Sequence, residues 1–105
     1  MKDNIGGFME DLQHLNLGSI TDIKISYGWI NDNSVVLYFS GILDTYNTPS
    51  VNRSLTSFID QNKDKTENII FNLKSLSYVS STGIGLLTEI FKMTQKIGIN
   101  LYLMK

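Results

Sequence analysis

Two short and almost wholly apolar runs, Val35-Val-Leu-Tyr-Phe39 and Asn68-Ile-Ile-Phe-Asn-Leu73, constrain this chain more than any other feature. Runs of this kind suit strands buried on both faces. Between them Val51, Leu55, Phe58 and Ile59 recur at i, i+4, i+7 and i+8, the spacing of one helix face. Pro49, the only proline, fits the first turn of that helix, where no N–H is missed. A strand, a helix and a second strand in this order predict a crossover that brings the two strands parallel.

The remaining elements fall in around that unit. Asp22 to Ile30 alternates, with Ile23, Ile25 and Tyr27 on one face and Lys24, Ser26 and Gly28 on the other. That is the pattern of a half-buried strand. Asn31-Asp-Asn33 predicts a hairpin turn with left-handed backbone, joining it antiparallel to the run at Ser34–Ser40. A second helix is expected from about Thr82 to Ile97. On its wheel Leu87, Ile90 and Phe91 form the centre meant for the sheet, with Ile84, Leu86 and Met93 as partly exposed margins. Gly98 supplies a left-handed stop, and Ile99–Met104 reads as a last strand. The fold class is α/β: one domain with a mixed β-sheet in the order β-β-α-β-α-β and helices packed on it.

Residues 1–19 read as an extra N-terminal helix in front of a domain spanning 20–105. Ile5, Phe8, Met9, Leu12 and Leu15 recur at helical spacing, Asp3 or Asn4 can cap, and Gly18 would end it. Such a stripe serves either packing on the domain or a docking and dimerisation arm.

Composition excludes several functions. With 105 residues, 42% hydrophobic, the chain can bury a real core. Formal net charge is -1 without a basic block, which argues against nucleic acid and acidic membrane surfaces as partners. There is no cysteine, hence no disulfide, thiolate nucleophile or cysteine metal site. No apolar run approaches the ~20 residues of a membrane span, so a cytoplasmic protein is expected. The sole histidine, His14, has no second ligand or nucleophile near it in sequence. With no base for a serine, no joined carboxylate pair and no lysine-bearing phosphate loop, neither an enzyme nor a cofactor or metal is expected.

What chemistry the sequence offers lies at Ser80-Ser-Thr-Gly-Ile-Gly85, a polar corner ahead of the second helix. Hydroxyls there can cap free N–H groups, and a helix N-terminus tolerates a phosphate. Gly83 and Gly85 keep the first turn bare for a close approach by another molecule. Plain capping, a modified serine and a ligand-binding corner all fit these residues.

From about Ile23 onward the chain resembles STAS domains, and among them the bacterial anti-sigma factor antagonists. The matching pieces are Gly41-Ile-Leu-Asp44, Asn72-Leu73 and Leu76-Ser-Tyr-Val-Ser-Ser-Thr-Gly-Ile-Gly-Leu-Leu87. In that family the last piece usually reads apolar-x-aromatic-apolar-Asp-Ser-Ser/Thr-Gly-Leu/Ile-Gly; here Ser80 stands at the position of the aspartate.

The resemblance implies a partner-switching regulator. Ser81 matches the serine that an anti-sigma factor with ATP-dependent kinase activity phosphorylates, Ser80 and Thr82 being rival acceptors, and a phosphatase would reverse the step. Asp44 matches the loop aspartate near the site. The partner-binding set expected beside the acceptor is Asp44, Ser80, Thr82, Gly83, Ile84, Leu86 and Met93. Other roles open to this fold are a scaffold or transport-accessory subunit that is never phosphorylated and a nucleotide or small-molecule module. Relatives continue beyond the last strand into a helix that packs on the sheet. Without it, an uncovered strand favours a homodimer or exchange of segments.

Overall fold

In the computed structural model, which describes residues 12–105, five strands form one mixed sheet in the order β1-β2-β3-β4-β5. Strand β1 is Gln13–His14, β2 Ile23–Asn31, β3 Ser34–Leu43, β4 Asn68–Val79 and β5 Asn100–Met104. Helix α1 spans Thr48–Asn62 and α2 spans Ser81–Lys96. Strands β1, β2 and β3 pair antiparallel, whereas β3–β4 and β4–β5 are parallel. The α/β class therefore stands, and from β2 onward so does the β-β-α-β-α-β order, with the two-residue β1 added in front.

The period-two pattern produces the core directly. Ile23 and Ile25 of β2, Val35, Leu37 and Phe39 of β3, and Ile69 and Phe71 of β4 are all buried toward one face. Val51, Leu55, Phe58 and Ile59 of α1, together with Leu86 and Ile90 of α2, close over it. Phe39 and Phe71 lie with ring centroids 4.9 Å apart and tilted, an arrangement favoured by the ring quadrupoles. At one end of the sheet, Asn100 Nδ2 donates to Asn68 Oδ1 (3.1 Å) and Asn68 Nδ2 donates to Ser34 Oγ (3.1 Å). These bonds join β3, β4 and β5 and help hold their register.

Four expectations change. The helix expected over residues 1–19 falls mostly on residues 1–11, outside the described part. Within the described part, Gln13–His14 is extended and pairs with β2, and Leu15 N donates to Ile25 O (2.9 Å). An edge of β2 that would otherwise expose its ladder groups outweighs helical spacing there. The Asn31–Asn33 turn exists, but no described non-glycine residue has positive φ. Asn31 Oδ1 instead accepts from Asn33 N (2.9 Å), and the register shifts between Trp29 and Asn31. Strand β4 runs six residues past the expected stop at Leu73, because Ser75, Leu76, Tyr78 and Val79 pair with Ser40 to Leu43 through two irregularities.

The fourth change concerns the roll of α2. Its buried line is Gly83, Leu86, Ile90 and Thr94, and Phe91, expected at the centre, is 45% exposed. The helix lies close to the sheet along its small residues. Thr94 buries its hydroxyl by donating to Phe91 O (3.0 Å), which removes the penalty that a buried polar group otherwise carries.

Candidate functional site

Strand β4 and helix α2 meet at the serine corner with almost no loop. Ser80 N donates to Leu43 O (2.9 Å), a last link between β4 and β3. Ser80 has extended backbone (φ -76°, ψ 168°), and its Oγ accepts from Gly83 N (3.0 Å), so it is the N-cap of α2. Its carbonyl accepts from Ile84 N (2.9 Å), the first turn of the helix.

Ser81 is the first helical residue and is exposed. Thr82 is exposed too, but its Oγ1 lies 3.2 Å from Thr45 Oγ1 in a hydrogen bond that ties the start of α2 to the loop before α1. Of the three hydroxyls, Ser80 is engaged as a cap and Thr82 in this cross-link. Ser81 takes part in neither contact.

Asp44 organises the loop facing them. Its Oδ1 accepts from Tyr46 N (3.0 Å) and Asn47 N (2.9 Å). The buried Asn47 replies: its Oδ1 accepts from Asp44 N (2.9 Å), while Nδ2 donates to Ile42 O (3.0 Å) and Asp22 Oδ1 (3.1 Å). Thr48 Oγ1 adds a bond to Asp44 O (2.6 Å). Asp44 thus fixes Thr45 and Tyr46 in place, and Tyr46, 90% exposed, stands out beside the corner. Sequence reasoning missed Tyr46. The signal was an aromatic ring in a polar Asp-Thr-Tyr-Asn stretch just ahead of a helix.

Neither helix has an acidic residue in its first turn. The N-termini of α1 and α2 therefore open at this edge with Asp44 as the near carboxylate, a setting that tolerates added negative charge on Ser81.

The expected partner-binding set divides. Asp44, Ser80, Thr82 and Ile84 lie at or beside Ser81, and Ile84 is 58% exposed. Gly83 does not offer open backbone. A Cβ built there would stand 2.8 Å from Leu43 Cγ and 3.0 Å from Val79 Cγ1, so this glycine lets α2 dock on the sheet. Gly85 has nothing within 4 Å of such a Cβ. Leu86, 6% exposed, is core rather than rim. Met93 is half-buried against the core and sits twelve residues along α2, about 18 Å from Ser81 at the helical rise. It lies on the opposite flank of the buried line from Ile84. A wheel shows how wide an apolar arc is, not which line through it meets the sheet. Among the described residues no group of His, Cys, Asp or Glu could hold a metal ion, and His14 lies on β1, at the sheet edge remote from α2 and β5.

A mixed sheet with α1 and α2 beginning at the same end of parallel β3 and β4, and a capped hydroxyl corner there, defines a single α/β domain. The STAS domain family model matches residues 29–105, and the chain belongs to that family. It is 33% identical over 68 residues, 65% of its length, to the anti-sigma-B factor antagonist of Bacillus subtilis, and spans 59% of that relative. The fold is also that of the Bacillus anti-sigma factor antagonist SpoIIAA in its unphosphorylated form (22% identity, TM-score 0.61, 75% of this chain and 70% of that one). The same protein in its phosphorylated form matches at 21% identity and TM-score 0.58, over 73% and 68% of the two chains. The murine anion transporter Slc26a9 contains the fold as well (16% identity, TM-score 0.65, 88% of this chain and 16% of that one). Among the described residues no helix is long and apolar enough to cross a membrane.

Proposed function

We propose that this chain is an anti-sigma factor antagonist whose binding to an anti-sigma factor with serine kinase activity is controlled by phosphorylation of Ser81. In this reading it is a cytoplasmic binding protein rather than an enzyme, and a phosphatase restores the unmodified state. One observation carries the choice of residue: Ser81 is exposed at the first position of α2 while the hydroxyls on either side are held by Gly83 N and by Thr45. The relationship to the Bacillus antagonists supports the class of partner.

A phosphate on Ser81 adds about -1.5 to -2 charges. The helix N-terminus stabilises such a charge by roughly 0.3–1 kcal/mol within the domain, so the fold is expected to tolerate it. A partner that covers Ile84 and Tyr46 would have to desolvate the dianion, which costs several kcal/mol when it is left unpaired. Binding is lost while the backbone stays put. Ser80 replaces the acidic neighbour usual in the family and caps the helix without charge, so the kinase must accept a neutral residue before its target.

The test is to incubate the full chain with ATP and an anti-sigma-type serine kinase and to read intact mass and fragment masses. One phosphate on Ser81, absent in Ser81→Ala, is expected. A phosphate on Ser80 or Thr82 instead, or undiminished kinase binding by Ser81→Asp with an unchanged fold, would overturn the proposal.

A further inference from the structure

Among the described residues Tyr46 is the most exposed large apolar side chain, and it belongs neither to the core nor to the residues packed against it. Single exposed apolar residues are ordinary. What sets Tyr46 apart is that its backbone is held while its ring is left in water. Its N–H donates to Asp44 Oδ1 (3.0 Å). The next residue, Asn47, is buried and bonded through its side chain to Asp44 N, Ile42 O and Asp22 Oδ1. On the other side Thr45 Oγ1 lies 3.2 Å from Thr82 Oγ1, one residue past Ser81. The ring is therefore presented on a braced mount that is joined to the helix carrying the acceptor. Such preorganisation lowers the ordering cost of binding. Tyrosine is also enriched at binding hot spots, and it has only two side-chain torsions to fix.

The rest of the ground around Ser81 offers a partner less. Its outward neighbours along α2 are Gly85, Thr88 and Lys92, all exposed and none apolar. Lys92 is paired with Glu89 (3.9 Å), both largely in solvent. Ile84 falls on the other flank of α2 from Thr82. From Ser81 across Thr82 and Thr45, by contrast, the surface is a run of hydroxyls ending in the ring of Tyr46, with no charged residue among the four. Its complement is an uncharged patch with an apolar recess for that ring.

We infer that Tyr46 anchors the anti-sigma partner, its ring entering an apolar recess of the kinase. The footprint runs from Ser81 over the Thr45–Thr82 bridge toward α1 rather than down α2 toward Met93. This inference rests on the partner-switching reading of Ser81 and adds the residue that holds the unmodified state. Tyr46 sets affinity and takes no part in phosphoryl transfer.

Calorimetric titration of the unphosphorylated full chain into an anti-sigma-type serine kinase tests it, with a non-hydrolysable ATP analogue present so that no transfer occurs. Tyr46→Ala should weaken binding about thirtyfold or more, the scale of a hot-spot residue. Tyr46→Phe, and Lys92→Ala on α2, should each change it by no more than about threefold. Circular dichroism and the urea midpoint of Tyr46→Ala should match wild type, because the ring packs on nothing the fold needs. With ATP the same variant should still be phosphorylated on Ser81, at a raised KM and a nearly unchanged kcat, as expected when binding common to ground and transition states is removed. Wild-type affinity in Tyr46→Ala, a loss in Lys92→Ala as large as in Tyr46→Ala, or a fall in kcat at unchanged KM overturns the anchor and leaves the role of Ser81 intact. A wild type that the kinase neither binds nor phosphorylates sinks the reading of Ser81, and the anchor with it.

Discussion

Two glycines in the first turns of α2 should respond to the same substitution with opposite sign. Gly→Ala in a helix interior gains about 0.8–1 kcal/mol from backbone and propensity terms alone. At Gly85 nothing opposes the gain, since an added Cβ meets no atom within 4 Å. Gly85→Ala is therefore expected to stabilise the domain by up to about 1 kcal/mol, roughly 4–8 °C in Tm for a domain of this size. At Gly83 the same methyl would stand 2.8 and 3.0 Å from Leu43 Cγ and Cδ2 and 3.0 Å from Val79 Cγ1. Favourable carbon contacts lie at about 3.5–4.0 Å, so each must open by roughly half an ångström or more. Leu43 is fully buried and has no room to turn away. Overpacking of this sort costs about 1–3 kcal/mol, which leaves Gly83→Ala neutral to about 2 kcal/mol destabilising after the helix gain. Urea unfolding followed by circular dichroism, with midpoints and slopes compared, reads both variants against wild type. Equal stabilisation by the two substitutions would refute the close docking of α2 on Leu43 and Val79.

Further outcomes follow from the same corner. Ser80→Ala removes the cap on Gly83 N and should cost about 1 kcal/mol, whereas Ser80→Asp should retain the cap; urea midpoints distinguish them. Asp44→Ala leaves the N–H groups of Tyr46 and Asn47 without their acceptor, a loss of about 1–3 kcal/mol before water replaces part of it, together with faster amide exchange at both residues. Ser81→Ala should leave stability within about 0.5 kcal/mol of wild type, as expected of an exposed side chain away from caps and core.

Much of the fold was legible because its strands and helices carry strong periodic signals. Val35–Phe39 and Ile69–Phe71 could only be buried strands once Val51, Leu55, Phe58 and Ile59 supplied the crossover between them. What escaped was decided by contacts that a linear pattern does not contain. Phe91 looked central and Leu86 marginal, but Gly83 and Thr94 let α2 settle along a different line. The extension of β4 to Val79 depends on a partner, β3, that carries on to Leu43, and Ser75 and Ser77 hide an alternation that pairing reveals. Leu12 to Gly18 kept a helical stripe on paper, yet the open edge of β2 draws Gln13 and His14 into the sheet. At the candidate site the hydroxyl cluster was visible at once. Its division into a cap, a cross-link and an uncommitted serine needed the neighbouring loop, and Asp44 proved to be the brace of that loop.

Because Ser80 N still bonds the sheet at Leu43 O while its side chain already caps α2, the corner has no slack in which to bend. Any message written on the neighbouring Ser81 would have to be conveyed as electrical potential rather than as a change of outline. Small ions would weaken the long-range approach of a charged partner, since fields at exposed positions fade over about 8–10 Å at cellular salt, but would barely touch the desolvation cost at contact. Discrimination between marked and unmarked forms should accordingly persist as ionic strength rises.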